Sequence, residues 1–513
     1  MIGRALRGAP PHPRRRRVFV AALAALLLAA CGQKAGVGDQ QSAAAPITDG
    51  AAAPATVTTD STASSSAVPS ATETTAAGPG GTLPTRSSTA TSGPAARSSA
   101  SPAGSPAQAA AASAAPGSAS STTTTAKRAS ASSPGQPAPA AASADPHDKD
   151  GVTDKEIVIG VHAPITGAAP VPQDAVDKSK DLYWKFLAER GGIFGRNVRI
   201  VFRDDQFNPS RAVAVCREMV EQEHAFLLVG VGTDQVVSCA RYASQVGVPY
   251  ISMGGGEAAL AGLGNYFGIS MSFPQQGPLL AGMVKKLGKS KVGVVTVNTP
   301  NYDDVFNSLV QSAKSAGLNV VRADRISKQP SQSEALAEAN NLRTSGAEAV
   351  LIAHSPVAFL NLAHAAQGQA YTPLWAGPGL TNGLNLVAEF GCPSIAGARF
   401  LSPFPQLDVI DRFDADYKPA YRKYNKGEEP DDLGLMIWGM EKTLHQFLKA
   451  AGPDLGRAKL VATIESGQEF VSNIFPPLRF GGGRRFGATQ SHLLEADCEN
   501  RRYKTVATFA TSF

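Results

Sequence analysis

Aromatic residues are scarce in this chain, 7% of the whole, and none lies between Gly32 and Asp150. That stretch is almost wholly Ala, Ser, Thr, Pro and Gly, with scattered Leu, Val and Ile. Without apolar surface to bury, it cannot offset the entropy of ordering, which excludes a packed domain there. It reads as a flexible tether with a reach of roughly 60 Å, more where proline stiffens it. Acidic residues are missing from the first thirty positions, which carry Arg4, Arg7 and Arg14 to Arg17. Those arginines account for the whole net charge of +6, so the chain beyond them is neutral. Nucleic-acid binding, which needs a basic surface, is not expected. No membrane span is expected either, because the apolar run Val18–Ala30 falls well short of roughly 20 residues. Also absent are C-x-x-C, H-E-x-x-H, G-x-S-x-G, a P-loop lysine motif, and a G-x-G-x-x-G between strand and helix. No metal or cofactor is therefore expected, and an enzyme is the weaker reading.

What the N-terminus does have is the layout of a secretory signal: an arginine cluster, an apolar run, then small residues. Its end, Leu28-Ala29-Ala30-Cys31, resembles a bacterial lipoprotein lipobox. That resemblance implies that Cys31 becomes the lipid-bearing N-terminus of the mature chain, anchored on the outer face of the cell membrane. An ordinary signal with a chance cysteine is the alternative. Arg16-Arg17-Val18-Phe19 is a weak twin-arginine signal, so the export route stays open. The Ser/Thr/Pro content of the tether permits O-glycosylation without establishing it.

The remainder, residues 151–513, exceeds one ordinary core and suits two lobes. Periodicity predicts strands at Glu156–Val161, Asn197–Phe202, Phe226–Val231 and Pro249–Met253. Helices alternate with them at Asp174–Arg190, Pro209–Glu223 and Asp234–Val246. The alternation restarts after Pro274, with helices over Gly277–Leu287, Asp303–Ala316, Gln332–Thr344 and Pro356–Gln367. Strands over Lys291–Val297, Asn319–Arg322 and Ala347–Ile352 fall between them. Strict alternation predicts parallel sheets covered on both faces, hence an α/β fold of two doubly wound, Rossmann-like lobes. A ligand then belongs in the cleft at the C-terminal ends of the strands.

Several motifs in residues 154–513 carry a specific resemblance. They are Ile159-Gly160 followed by Pro164-Ile165-Thr166-Gly167, then Gly191-Gly192-Ile193-Phe194-Gly195-Arg196, then Asp204-Asp205-Gln206 leading through Asn208-Pro209 into a helix. Val229-Gly230 and Gly247-Val248-Pro249-Tyr250-Ile251-Ser252 follow in order. The chain resembles a type I periplasmic solute-binding protein of the branched-chain amino acid (Leu/Ile/Val-binding) family. The resemblance implies an interlobe cleft that closes by a hinge of three crossing segments. It places the first lobe at residues 151–272 plus about 400–475, and the second at 273–399 plus about 476–513. It further implies an exported, monomeric protein that captures a small polar solute, such as an amino acid, amide or organic acid, for an ABC permease. A lipid-anchored receptor of the same fold, signalling to a membrane partner, is the alternative.

Candidate contacts come from strand ends. Thr166 and Gly167 match the family's ligand loop. Thr233 and Asp234 open a helix whose free N–H groups suit a carboxylate, or simply cap it. Ser252 ends a strand followed by Gly254 and Gly255, where backbone can approach a ligand, or merely turn. Tyr302 lies at a strand-to-helix junction, as a cleft aromatic or as scaffold, and Ser355 follows His354 at the next such place. Where the family holds a ligand ammonium with a carboxylate after Gly-Pro, this chain has Gly379, which offers no charge. An unpaired ammonium is costly. Asp234, Glu257 or Asp303 must then substitute, or the ligand is not an α-amino acid.

Four cysteines follow Cys31, and an even number outside the cytoplasm suggests two disulfides with three connectivities. Cys216 and Cys239 lie on consecutive helices of one sheet face, which pairs them and leaves Cys392 with Cys498. Free buried thiols are the alternative.

Overall fold

The computed structural model describes residues 145–513, Glu257 excepted; the signal, the tether and Cys31 lie outside the described residues. The first lobe runs β1 (Glu156–Ala163), α1 (Gln173–Ser179), α2 (Leu182–Ala188), β2 (Asn197–Asp204), α3 (Pro209–Glu221), β3 (Leu227–Val231), α4 (Asp234–Gln245), β4 (Tyr250–Met253) and β5 (Tyr266–Gly268). Its strands form a parallel sheet in the order β2-β1-β3-β4-β5. Every residue of β3 and β4 is buried, as expected of strands covered on both faces. Asn208 starts α3 by accepting hydrogen bonds from the N–H groups of Ser210 and Arg211, with Pro209 at the first helical position.

The single helix expected over Asp174–Arg190 is two. The chain leaves helical geometry at Asp181, and the freed N–H of Tyr183 donates to the Glu441 carboxyl at 3.0 Å. A partner from a distant helix satisfies the break, so local periodicity gave no sign of it.

The second lobe follows with α5 (Phe273–Lys286), β6 (Lys291–Val297), α6 (Asp303–Ser315), β7 (Asn319–Ile326), α7 (Gln332–Thr344), β8 (Ala349–Ala353), α8 (Pro356–Gly368), β9 (Leu374–Pro378), α9 (Asn385–Gly391) and β10 (Arg399–Ser402). Helices α10 (Tyr417–Tyr424), α11 (Asp432–Ala451) and α12 (Arg457–Glu465) come next, then β11 (Glu469–Phe470), β12 (Leu478–Arg479), β13 (Ser491–Asp497) and β14 (Arg502–Ala510). The second sheet has the order β14-β13-β10-β9-β8-β6-β7, parallel except at β13 and β14. Strand β10 thus belongs to the second sheet, whereas α11 packs on α1 and α2 of the first lobe. The Arg457 guanidinium of α12 also reaches the first lobe, donating to the carbonyls of Ala225 and Phe226. The chain therefore crosses between lobes after β5, after β10 and before β13.

Two disulfides, Cys216–Cys239 and Cys392–Cys498, have the pairing expected from the sequence. The first ties α3 to α4. Among the described residues no helix is long and apolar enough to cross a membrane.

Candidate binding cleft between the lobes

In each sheet the strand order reverses at one place: between β1 and β3 in the first, between β6 and β8 in the second. The loops leaving neighbouring strands diverge there and open a crevice. A cavity of about 120 Å³ lies where the two crevices meet. Pro164 after β1, Phe207 after β2, and Val231 to Asp234 at the end of β3 supply one wall. Tyr302 after β6, Lys328 after β7, His354 and Ser355 after β8, and Leu380 to Asn382 after β9 supply the other.

The lining is mainly apolar. Prolines 164, 170, 172, 356 and 378, with Val171, Phe273, Leu384 and Val387, make up much of it. Among the described residues Asp234 and Lys328 are its only carboxylate and ammonium, and they pair across the cleft at 3.3 Å. Asn301 of the second lobe also donates to Asp234, at 2.9 Å. The Lys328 ammonium donates to the Phe207 carbonyl at 3.4 Å and lies 4.1 Å from the centre of that ring. Two residues of one lobe thereby clasp two of the other.

Burial drives His354 down to about 4, so it is neutral near pH 7. It accepts from the N–H of Ser355 at Nδ1, which leaves Nε2–H to donate to the Ser327 carbonyl. Burial raises the Tyr302 phenol well above its usual range, and Asp234 adds to the rise, while a hydrogen bond with Thr233 opposes it. Neither group exchanges a proton near neutrality.

Of the residues singled out from the sequence, Thr233, Asp234, Tyr302 and Ser355 line this cavity. Ser355 also caps α8, accepting from the N–H of Ala358. The others are placed elsewhere. The Thr166 hydroxyl donates to Asp204 at 2.6 Å and fixes its loop to the end of β2. Burial pushes the Asp204 carboxyl up, but hydrogen bonds from Thr166, Gln206 and Ile165 outweigh it and hold the group below the usual carboxylate range. Gly167 closes the same loop at φ +93°, where a Cβ would stand 2.0 Å from the Gln206 carbonyl oxygen. Ser252 is fully buried against the Tyr266 hydroxyl at 2.6 Å. Gly254 donates to Ser270, the Gly255 carbonyl accepts from Phe273, and Gly379 donates to the Leu401 carbonyl. Asp303 pairs with Arg325 at 2.6 Å, outside the cleft lining. Glu257 lies outside the described residues.

The sequence reading missed Lys328. It ended that strand at Arg322, but β7 runs on to Ile326. As the edge strand of its sheet, β7 carries three charged residues near its end, Arg322, Asp324 and Arg325, which mask the strand pattern. Two residues past its true end, Lys328 sits where cleft residues belong.

Beneath the first wall lies a closed polar chain. Asp205 bonds His162 Nδ1 at 2.7 Å and the Tyr250 hydroxyl bonds Nε2 at 2.6 Å, all fully buried. Gly230 of β3 makes room for it, since a Cβ there would meet the Tyr250 hydroxyl at 1.9 Å. His162, Cys216 and Cys239 are close enough together to hold a metal ion, but both sulfurs are in the disulfide.

Two doubly wound lobes, three crossings and a cleft at both reversal points define a type I periplasmic binding protein. The sequence places it more closely: the family model "Periplasmic binding protein" matches residues 156–500, and the chain belongs to that family. The Leu/Ile/Val-binding protein homolog 3 of Brucella melitensis is 27% identical over 201 residues, 38% of this chain and 53% of that protein. The chain thus spans about half the length of that relative. Among solved structures, a fatty acid ABC transporter substrate-binding protein from Thermomonospora curvata is similar with a TM-score of 0.61 at 19% identity, covering 71% of this chain and 95% of that one. A solute-binding protein of an ABC transporter from Rhodopseudomonas palustris, in complex with 3,4-dihydroxybenzoic acid, gives a TM-score of 0.59 at 16% identity, covering 70% and 99%.

Proposed function

We propose that the protein is the extracytoplasmic solute-binding component of an ABC importer, and that its solute is an apolar carboxylate rather than an α-amino acid. One observation carries the choice of solute. Among the described residues the cleft's only carboxylate, Asp234, is already held by the Lys328 ammonium and the Asn301 amide. An amino-acid ammonium would have to displace Lys328 or go unpaired, and a buried unpaired charge is costly.

A carboxylate meets the opposite situation. Lys328 has three N–H donors, of which the Phe207 carbonyl and Asp234 take two. Thr233 adds a hydroxyl at the N-terminus of α4, where the backbone favours negative charge. Proline, valine and leucine side chains then enclose the rest of the molecule. The relative crystallised with 3,4-dihydroxybenzoic acid and the one described as a fatty acid binder are consistent with such a solute. Solute bound between Thr233 and Lys328 adds contacts available only when the lobes meet, so it favours the closed arrangement that a permease would receive. Lipidation at Cys31 would keep the domain near that permease, with the tether setting its range.

Calorimetric titration of the purified protein against benzoate, phenylacetate, hexanoate, benzamide and leucine tests this reading. Binding of the carboxylates with little response to benzamide or leucine is the expected result. Submicromolar leucine binding would overturn the choice of solute. Binding by the protein without solute uptake by cells that produce it would favour a ligand-sensing receptor.

A further inference from the structure

A second cavity, of about 40 Å³, lies inside the first lobe between the sheet and α11. Val176, Trp184, Met436 and Met440 line it. Val171 and Val231 line both this cavity and the cleft, so the two spaces share a wall. Well-packed apolar interiors rarely leave a void of this size. Two features set this one apart from a packing fault. Trp184 is only 3% exposed, yet among the described residues its indole N–H has no hydrogen-bond partner, which is unusual for a buried donor. Met436 and Met440 line the space with Trp184, and their unbranched, polarisable side chains adapt to occupants of different shape.

We propose that the binding site has two chambers: the carboxylate is held in the cleft at Lys328 and Thr233, and an extended apolar tail passes between Val171 and Val231 into the cavity beside Trp184. The inference rests on the apolar-carboxylate reading and deepens it, because it selects elongated solutes over compact ones. The tail replaces empty space beside Met436 and Met440 with contacts, and a solute with an acceptor atom at that depth would also satisfy the indole N–H. Val171 and Val231 act as the gate, their side chains turning aside as the tail enters.

Calorimetric titration of the full chain with butanoate, hexanoate, octanoate and decanoate, with benzoate alongside, is the test. Each buried methylene should lower the dissociation constant about fourfold, with the gain levelling off once the chamber is full. Val176→Phe, which fills only the inner chamber, should remove the gain for octanoate and decanoate while benzoate binds as before. Benzoate binding with one affinity for the whole alkanoate series would overturn the second chamber and leave the carboxylate site standing. Failure of every carboxylate to bind would overturn the underlying reading instead. The chain-length series on the unaltered protein decides the matter even where Val176→Phe does not fold.

Discussion

Lys328→Met is the substitution on which the proposed recognition depends most. The Lys328 side chain is 27% exposed and that of Asp234 14%, so the pair is partly shielded from water. At an effective dielectric constant of about 20, unit charges about 3 Å apart attract by about 5 kcal/mol before desolvation. Hydrogen bonds to charged groups retain about 1.5–3 kcal/mol net. Loss of the ammonium should therefore weaken carboxylate binding by about 2 kcal/mol, or about thirtyfold in Kd. Methionine keeps most of the stem against the Phe207 ring, so packing changes little. Calorimetry on the variant with benzoate and its neutral analogue benzamide separates charge from shape: benzoate should lose about thirtyfold and benzamide little. Equal losses for the two, or none for benzoate, would refute the assignment of Lys328 to the carboxylate.

Other expectations follow from named contacts. Glu441 is fully buried, and burial pushes its carboxyl well above the usual range. Glu441→Gln should therefore be nearly neutral in urea denaturation, whereas Glu441→Ala strands the Tyr183 N–H and should cost about 1–3 kcal/mol. Removing Cys392–Cys498, whose partners lie 106 residues apart, should destabilise by about 4.8 kcal/mol in the chain-entropy model, against about 3.4 for Cys216–Cys239, 23 apart. Paired cysteine-to-alanine variants compared by denaturant midpoint would show the order. His354 and His492 are lowered by burial from 6.5 to about 4 and about 3. The folded state thus binds fewer protons, and their contribution is complete above pH 6.5 and lost as pH falls toward 3. Unfolding free energy measured across that window should fall with pH, and less steeply in His354→Gln. Gly167→Ala brings a Cβ against the Gln206 carbonyl at positive φ and should cost about 1–3 kcal/mol, read as a lowered melting temperature.

The fold was legible where apolar runs were unbroken. Strands β3, β4, β6 and β8 are buried almost throughout, and their sequences say so. The disulfide pairing followed because Cys216 and Cys239 ride on helices fixed by those strands. Legibility failed where distant residues decide local structure, as at the helix break that Glu441 satisfies, and at the charged edge strand that hid Lys328. In the cleft, the strand-end rule brought Thr233, Asp234, Tyr302 and Ser355 together. It placed Ser252 at a strand end too, but that hydroxyl bonds Tyr266 inside the lobe, and Gly379, singled out from the family resemblance, donates its N–H to the Leu401 carbonyl. Position along a strand tells which residues approach the crevice; which way each one turns depends on partners no local pattern records.

The fully buried chain of Asp205, His162 and Tyr250, together with the nearby disulfide, makes the first lobe a stiff surface. The clasp residues Lys328 and Asn301 come from the opposite lobe. Under the proposed function, arrival and departure of a solute are thereby governed by different parts of the molecule. Encounter depends on a wall that is already formed, so the association rate should barely notice Lys328. Residence depends on bonds that must break before the lobes part, and a permease that pries Lys328 from Asp234 would set the moment of release.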